Sequence, residues 1–239
     1  GEEGSEDTDA EGPCPDFVWV LDPLDGTTNF LNGLPIFASS IGLLYRGRPL
    51  AGALYIPWPT VSGGFILHCR QGGGCFWDDE PVTVHQSDKP VANRLIGLPG
   101  YFAHGMKFDR KLGNNVGETR TTGSIAYELA MTACGVLQYA IIGAPRMWDM
   151  LAGAQAVQEA NGTVMTRLDR RKPWHPMESL VPSWEEKPPS LKELRRWVAP
   201  LVAGNHQVAP LIANNMHPRV HPVAKLRQVS RKLRPPKKT

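Results

Sequence analysis

Residues 17–28 read FVWVLDPLDGTT, an apolar run followed by two closely spaced acids. The first five residues are β-branched, aromatic or aliphatic and are bounded by turn formers, which predicts a short buried strand. We expect the strand to end at Asp22-Pro23 and the segment GTT (26–28) to begin a helix. A buried strand would then deliver the carboxylates of Asp22 and Asp25 to the same place.

The spacing of these acids allows two interpretations. Asp-Pro and Asp-Gly are common turn dipeptides, so DPLDG alone also fits a simple turn. Carboxylates beside backbone N–H groups are, however, what a phosphate site with bridging cations requires. Two carboxylates about 4 Å apart repel by roughly 4 kcal/mol at an effective dielectric constant near 20, and magnesium relieves that repulsion. In its context the stretch therefore predicts a metal and phosphate centre.

Two further acidic elements lie elsewhere in the chain. Asp149 occurs in MWDMLAG, where the alternative is a helix cap beside a tryptophan that packs in the core. Glu2 and Glu3 lie in an acidic opening loop, where acids are usually solvated. Neither element indicates a metal site on its own.

The composition is that of an ordinary globular protein. The chain has 239 residues, of which 41% are hydrophobic and 21% charged, enough for one large domain or two small ones. No apolar run approaches the roughly 20 residues needed to cross a bilayer, and no signal peptide opens the chain, so we expect no membrane partner. Because the sequence begins with Gly1 and an acidic loop, we expect that its start is missing.

The four cysteines form no CxxC pair and have no histidine at zinc-finger spacing. They fit buried thiols in a reducing compartment, which predicts a cytoplasmic location. A disulfide between Cys69 and Cys75 is the alternative.

The first half of the chain predicts an antiparallel meander, because strand-like runs are separated by turns about every 8–12 residues. These runs cover residues 37–45, 52–55, 64–68, 74–77 and 81–84. The second half mixes both element types. Its strands are predicted at 95–98, 136–142 and 163–166, the last of the chain, and its helices at 105–112, 124–134 and 149–160.

Beyond residue 182 the chain is rich in proline and basic residues, which predicts a weakly ordered segment with one short helix at 190–198. From Arg219 onward there are eight Lys or Arg residues and no acid, so the rest carries 18 basic and 23 acidic residues, a net charge of −5. We interpret this tail as solvated. A nucleic-acid-binding arm is the alternative, although the tail lacks aromatic residues for base stacking. The predicted domains are 1–181 and the tail, 182–239.

Together the acidic elements resemble the inositol monophosphatase family, within the superfamily of lithium-sensitive, magnesium-dependent phosphatases. WVLDPLDGTTNF (19–30) resembles its first signature, MWDMLAGAQAVQEANG (147–162) its second, and GEE (1–3) the element before the first. The resemblance covers residues 1 to about 167. It implies an α+β fold, a layered α-β-α-β-α sandwich, which is N-terminally truncated here because the paired helices before GEE are absent. Their absence would leave apolar sheet surface uncovered.

The resemblance also implies a set of metal ligands. Glu2, Asp22 and the carbonyl of Leu24 would hold a first magnesium ion, and Asp22, Asp25 and Asp149 a second. A third, weaker ion would use Glu2. Two to three Mg²⁺ ions and inhibition by lithium are therefore expected.

For the substrate, the resemblance implies that the N–H groups of Gly26 and Thr27 bind phosphate oxygens. Thr27 and Glu2, with Asp22, would orient a metal-activated water for in-line attack on phosphorus, and a second ion would stabilise the leaving alkoxide. The implied substrate-binding residues are Asp25, Gly26, Thr27, Gly123, Ser124 and Asp149.

The sequence thus predicts hydrolysis of a small phosphate monoester, either inositol-phosphate-like or a related sugar or polyol phosphate. Ile142 stands where the family places an acid that binds a sugar-like hydroxyl, and Gln138 where another acid is usual. The alternatives are a 3′-phosphonucleotide, histidinol phosphate or fructose bisphosphate as substrate, and a non-catalytic relic that acts as a binding partner. A homodimer is left open.

Overall fold

The computed structural model of the protein describes residues 12–113, 116–169 and 171–219. Within these residues, two six-stranded sheets lie on either side of a helical layer. Glu2 and Glu3 lie outside the described residues, as does the chain after Arg219.

The first sheet is an antiparallel meander, which confirms the prediction for this half of the chain. Its strands follow chain order and are β1 (Phe17–Asp25), β2 (Ala38–Tyr45), β3 (Arg48–Pro57), β4 (Gly64–Arg70), β5 (Gly74–Trp77) and β6 (Glu80–Pro81). Buried and exposed residues alternate along β1 and β2 because successive side chains point to opposite faces of the sheet. One face of the sheet therefore packs on the core.

The remaining strands are β7 (Leu95–Gly97), β8 (Met106–Phe108), β9 (Glu118–Arg120), β10 (Leu137–Ile142), β11 (Thr163–Thr166), β12 (His175–Pro176), β13 (Leu201–Gly204) and β14 (Met216–Pro218). The second sheet has the order β12-β11-β13-β10-β7-β9, while β8 and β14 pair separately. β7 is parallel to both β9 and β10. β10 is buried at all six positions because packed elements cover both of its faces.

The helices are α1 (Thr27–Leu31), α2 (Phe102–Gly105), α3 (Ile125–Ala133), α4 (Met147–Glu159), α5 (Leu191–Arg195) and α6 (Val208–Asn214). α3 and α4 pack against each other between the sheets, and α6 covers the far face of the second sheet. The described layers are thus sheet, helices, sheet and helix, an α+β sandwich as predicted. None of the described helices is both long and apolar enough to span a bilayer.

Small residues let α4 approach its neighbours closely. A Cβ added to Gly52 on β3 would lie 2.8 Å from the Cα of Ala152, so only glycine fits beneath this turn of α4. A Cβ on Gly153 would lie 2.5 Å from the Cβ of Leu129 on α3. The Ala-Gly pair in MWDMLAG therefore seats α4 against the first sheet and against α3.

The outer face of the first sheet is apolar and exposed. Trp19 is 65% exposed, and Phe17 and Leu21 on the same strand are exposed by more than half. Across the sheet, Phe17 lies opposite Tyr45, Trp19 opposite Leu43 and Leu21 opposite Ile41, so the apolar residues form a row of cross-strand pairs. β1, predicted to be a buried strand, is therefore buried on one face only.

Two predicted helices differ from the structure. The helix predicted at 105–112 is wrong, because this segment contains the end of α2, then β8 and a 3-10 turn at Arg110–Leu112. Here β8 pairs with β14, which is about 110 residues away in sequence, and this long-range pairing outweighs local helix preference. α4 begins at Met147, two residues before the predicted start, so Asp149 lies in its first turn and is not the N-cap.

The structure also differs from the expectation of a weakly ordered segment after residue 182. β13 is buried at all four positions and lies between β10 and β11, so it is part of the second sheet and residues 163–166 are not the last strand. The sequence prediction missed this four-residue apolar strand because the residues around it are rich in proline. α5 lies within the predicted short helix at 190–198, and the basic tail after Arg219 stays a prediction.

All four cysteines are free thiols, as predicted. Cys69 and Cys75 lie opposite each other on β4 and β5, and both are buried.

Candidate metal and phosphate site

The end of β1 brings Asp22 and Asp25 together through an irregularity in the strand. In a regular strand these residues would point to opposite faces, because they are three positions apart. The register with β2 shifts between them: Asp22 lies opposite Ser40, and Asp25 lies opposite Ala38. An advance of three residues along β1 thus corresponds to two residues along β2. This irregularity is a β-bulge, and it changes the direction in which the Asp25 side chain points. Pro23 within the bulge has no N–H to contribute to the ladder.

α4 supplies a third carboxylate. Asp149 Oδ2 accepts the N–H of Arg146 at 3.0 Å. The hydroxyl of Ser40 on β2 donates to the carbonyl of Trp148 at 3.1 Å and ties the start of α4 to the first sheet. One oxygen of Asp149 and one from each of the two β1 aspartates lie within 4.8 Å of one another. Packing of α4 on the sheet thus joins acids from opposite halves of the chain.

Burial and mutual repulsion raise the pKa values of Asp25 and Asp149. The pKa of Asp149 is raised to about 6, first by burial and then by the charges of Asp25 and Asp22. Burial also raises the pKa of Asp25, although hydrogen bonds from Ser124 and Ala126 oppose this. No carboxylate of the cluster forms an ion pair with a described cationic residue. Such a donor set fits a hard divalent cation with oxygen ligands, such as Mg²⁺.

We expect Asp149 to make the metal-free protein less stable as the pH rises. Its ordinary pKa of 3.8 applies to the unfolded chain and its raised pKa of about 6 to the native state. Between these values the native state binds more protons, so the free energy of unfolding falls with increasing pH. Magnesium should therefore raise the melting temperature more at about pH 7.5 than at about pH 4.5.

The measurement is thermal melting at both pH values, with and without magnesium, for wild type and Asp149→Asn. Because other carboxyl groups titrate in the same range, the informative quantity is the difference between the two proteins. The variant should lose the extra destabilisation at neutral pH. Identical pH profiles for both proteins would contradict the raised pKa.

The end of β1 leads directly into α1, as the GTT segment predicted. Gly26 has a φ of +85°, in the left-handed region that favours glycine. A Cβ there would lie 2.9 Å from both the Ile36 carbonyl oxygen and the Cβ of Ser124. The Thr27 hydroxyl donates to the carbonyl of Leu24 at 2.9 Å, so these two predicted site residues are in contact. The first N–H groups of a helix have no intrahelical acceptor and suit phosphate oxygens.

The start of α3 contacts this centre directly. Ser124 is the N-cap of α3, and its hydroxyl accepts the N–H of Tyr127 and donates to Asp25 Oδ2 at 2.6 Å. The N–H of Ala126 donates to the same oxygen, also at 2.6 Å. Gly123 precedes the cap with a φ of +79°. The structure therefore brings Ser124 against Asp25, while Gly123 lies beside Asn29.

Three other positions singled out in the sequence lie apart from this centre or outside the described residues. Glu2 belongs to the latter group, so its role stays a prediction. Ile142 is 3% exposed and belongs to the core between the sheets. Gln138 is 1% exposed, and its amide bonds the N–H and the carbonyl of Val91. Neither of these two side chains offers a polar group to a ligand.

Sequence reasoning missed two residues beside the site, Asn29 and Glu128. Asn29 lies within the quoted signature, and its side-chain amide donates to the Thr122 carbonyl. Glu128 is buried in α3, and its carboxylate accepts hydrogen bonds from Thr122. An acid on the face of a helix that is otherwise apolar was the available signal for Glu128. Asn29 gave none, because Asn is also a common turn residue.

Comparison with known sequences gives a consistent result. A family model described as "Inositol monophosphatase family" matches residues 1–199. A chloroplastic phosphatase of Arabidopsis thaliana, IMPL1, is 32% identical over 179 residues, which cover 72% of this chain and 47% of that protein. A fructose-1,6-bisphosphatase/inositol-1-monophosphatase of Aquifex aeolicus is 30% identical, with 66% and 60% covered. The chain thus spans about half to three fifths of the length of these relatives.

Solved structures show the same fold. The extragenic suppressor protein suhB of Bartonella henselae is 28% identical to this chain and superimposes with a TM-score of 0.58. The match covers 80% of this chain and 69% of that protein. The two stacked sheets and the helical layer are therefore shared with a known structure.

Proposed function

Because the chain belongs to the inositol monophosphatase family, we propose that it is a magnesium-dependent phosphomonoesterase that acts on a small phosphorylated substrate. The observation that carries the proposal is the convergence of Asp22, Asp25 and Asp149 within 4.8 Å, at the start of a helix. The four free thiols support a reducing compartment, and we propose the cytoplasm.

We assign the cation to this acidic cluster. Asp22, Asp25 and Asp149 would hold it, together with the carbonyl of Leu24 and with Glu2. When bound, magnesium supplies positive charge that neutralises the cluster and the phosphate, and it makes water a stronger nucleophile. A phosphate dianion would otherwise be repelled by three carboxylates, so the acids alone cannot bind the substrate.

The protein's own groups then position the reaction. The N–H groups of Gly26 and Thr27 bind phosphate oxygens at the start of α1. The Thr27 hydroxyl donates its proton to the Leu24 carbonyl, which leaves its oxygen free to accept a proton of the attacking water and to orient that water. Water adds to phosphorus in line, the phosphorus–oxygen ester bond breaks, and the leaving alkoxide takes up the proton that the attacking water releases. No side chain is required as a covalent nucleophile.

The test of this function is phosphate release from a panel of monoesters with magnesium. The panel contains inositol 1-phosphate, fructose 1,6-bisphosphate, histidinol phosphate and 3′-phosphoadenosine 5′-phosphate. We do not expect inositol 1-phosphate to be hydrolysed faster than the other esters, because Ile142 and Gln138 are buried and offer no group to a sugar hydroxyl.

We expect release from at least one ester, loss of that release with a chelator, restoration by magnesium, and inhibition by lithium. If the protein releases phosphate from no ester while magnesium binding is retained, the enzyme proposal fails and a binding role is favoured.

A further inference from the structure

The segment 121–124, which we call the Thr122 arm, carries Gly123 and Ser124 to the acidic cluster. It follows β9, which is the edge strand of the second sheet and is exposed at all three residues. An exposed edge strand contributes little buried area, so it holds the arm only weakly. Hydrogen bonds to the arm must therefore supply much of its positioning.

Glu128 binds the arm from the side of α3. Its Oε1 accepts the Thr122 N–H at 3.1 Å and the Thr122 hydroxyl at 2.8 Å. The residue is 5% exposed, and a Cβ added to Gly97 on β7 would lie 3.1 Å from its other carboxylate oxygen. A buried carboxyl group is costly unless hydrogen bonds satisfy it, whereas an apolar residue would pack here without that cost. We therefore infer that the role of the Glu128 carboxyl group is to accept these hydrogen bonds from Thr122.

Asn29 binds the same residue from the side of α1. Its Nδ2 donates to the Thr122 carbonyl at 2.7 Å and to the Ile36 carbonyl at 2.7 Å. Both protons of the amide are thus used, one for each carbonyl. A Cβ on Gly123 would lie 3.3 Å from Nδ2, so the absence of a side chain there leaves room for the amide. Thr122 is consequently held by all three of its polar groups, N–H, hydroxyl and carbonyl.

We propose that Asn29 and Glu128 are positioning residues that clamp the Thr122 arm and thereby orient Asp25 for the cation. The arm ends at Ser124, whose hydroxyl donates to Asp25 Oδ2 at 2.6 Å, and the N–H of Ala126 in the first turn of α3 donates to the same oxygen at 2.6 Å. Two donors on one oxygen hold the Asp25 carboxylate in a single orientation. The activity readout of this proposal rests on the proposed phosphatase function; its binding readout does not.

The clamp predicts opposite outcomes for two substitutions that barely change shape. Asn29→Asp replaces both donated protons by acceptor lone pairs that face two carbonyl oxygens, so the clamp opens. Glu128→Gln keeps an oxygen that accepts both Thr122 donors, so the clamp holds, whereas Glu128→Leu removes it. We expect Asn29→Asp and Glu128→Leu to weaken magnesium binding about 10- to 100-fold, and Glu128→Gln to change it less than about threefold. The exposed loop residue Asn93 gives the matched control, Asn93→Asp, which should behave as wild type.

The experiment combines magnesium titration calorimetry, hydrogen exchange of the Ser124 and Ala126 amides, and kcat and KM for the best ester of the panel. In Asn29→Asp both amides should exchange faster even without magnesium, and kcat should fall with the loss of metal affinity.

A merely structural role would lower the melting temperature but leave the magnesium affinity and the exchange of these two amides unchanged, and that result overturns the proposal. Loss of binding in Glu128→Gln equal to that in Glu128→Leu also overturns it. If wild type binds magnesium without releasing phosphate, the proposed function fails, while the affinities still decide the clamp.

Discussion

Asp22→Asn is expected to lower the rate of phosphate release by a factor on the order of 10³ or more, while the protein remains folded. Asp22 is the buried member of the three-carboxylate cluster, and its Oδ1 already accepts the N–H of Leu24 at 3.0 Å. The amide keeps the shape but loses the negative charge that a cation requires. The measurement is phosphate release over a range of magnesium concentrations.

The same substitution should not destabilise the metal-free protein. It removes one of three like charges, and each such pair repels by up to about 4 kcal/mol at 4 Å and an effective dielectric constant near 20. The melting temperature without magnesium should therefore stay the same or rise, and the stabilisation by magnesium should disappear. Asp88→Asn, at an exposed loop position, is the matched control and should leave both quantities unchanged. Unchanged activity of Asp22→Asn would refute the assignment of the site.

Gly26→Ala is expected to lower kcat/KM about 100-fold, because the phosphate-binding turn cannot keep its position. The new Cβ would meet the Ile36 carbonyl oxygen and the Cβ of Ser124 at 2.9 Å each. The first contact involves rigid backbone, so the turn itself must move. A displacement of about 1 Å at a reacting group can cost about 10²-fold in rate.

Gly33→Ala separates this contact from backbone strain. Gly33 has a φ of +75°, close to that of Gly26, but a Cβ there meets nothing within 4 Å. Both variants carry the left-handed strain of about 1–2 kcal/mol, and Gly26→Ala adds overpacking of about 1–3 kcal/mol. Thermal melting and steady-state kinetics of both variants test this. If the two substitutions had equal effects on kcat/KM, Gly26 would be required only for its left-handed φ angle, and the predicted contacts of the new Cβ would not matter.

The site prediction depends on long-range packing to different degrees for different residues. Asp22, Asp25 and Thr27 lie in one short stretch, so the sequence could propose them together. Asp149 required the resemblance, since its meeting with β1 results from α4 packing on Gly52. Asn29 and Glu128 were not found, because their partner Thr122 is far from Asn29 in sequence and their hydrogen bonds exist only in the folded protein.

The sequence by itself determined the elements with local signals. The strand at the start of β1, the Ser124 cap and the GTT helix start depend on residues a few positions apart, so a short window contains their physical cause. The tertiary structure alone decided which elements meet. The bulge that re-aims Asp25, the burial of Ile142 and Gln138, and the insertion of β13 between β10 and β11 arise from contacts between distant segments. The burial that raises the pKa of Asp149 likewise requires α4 to lie on the first sheet, which no local pattern contains.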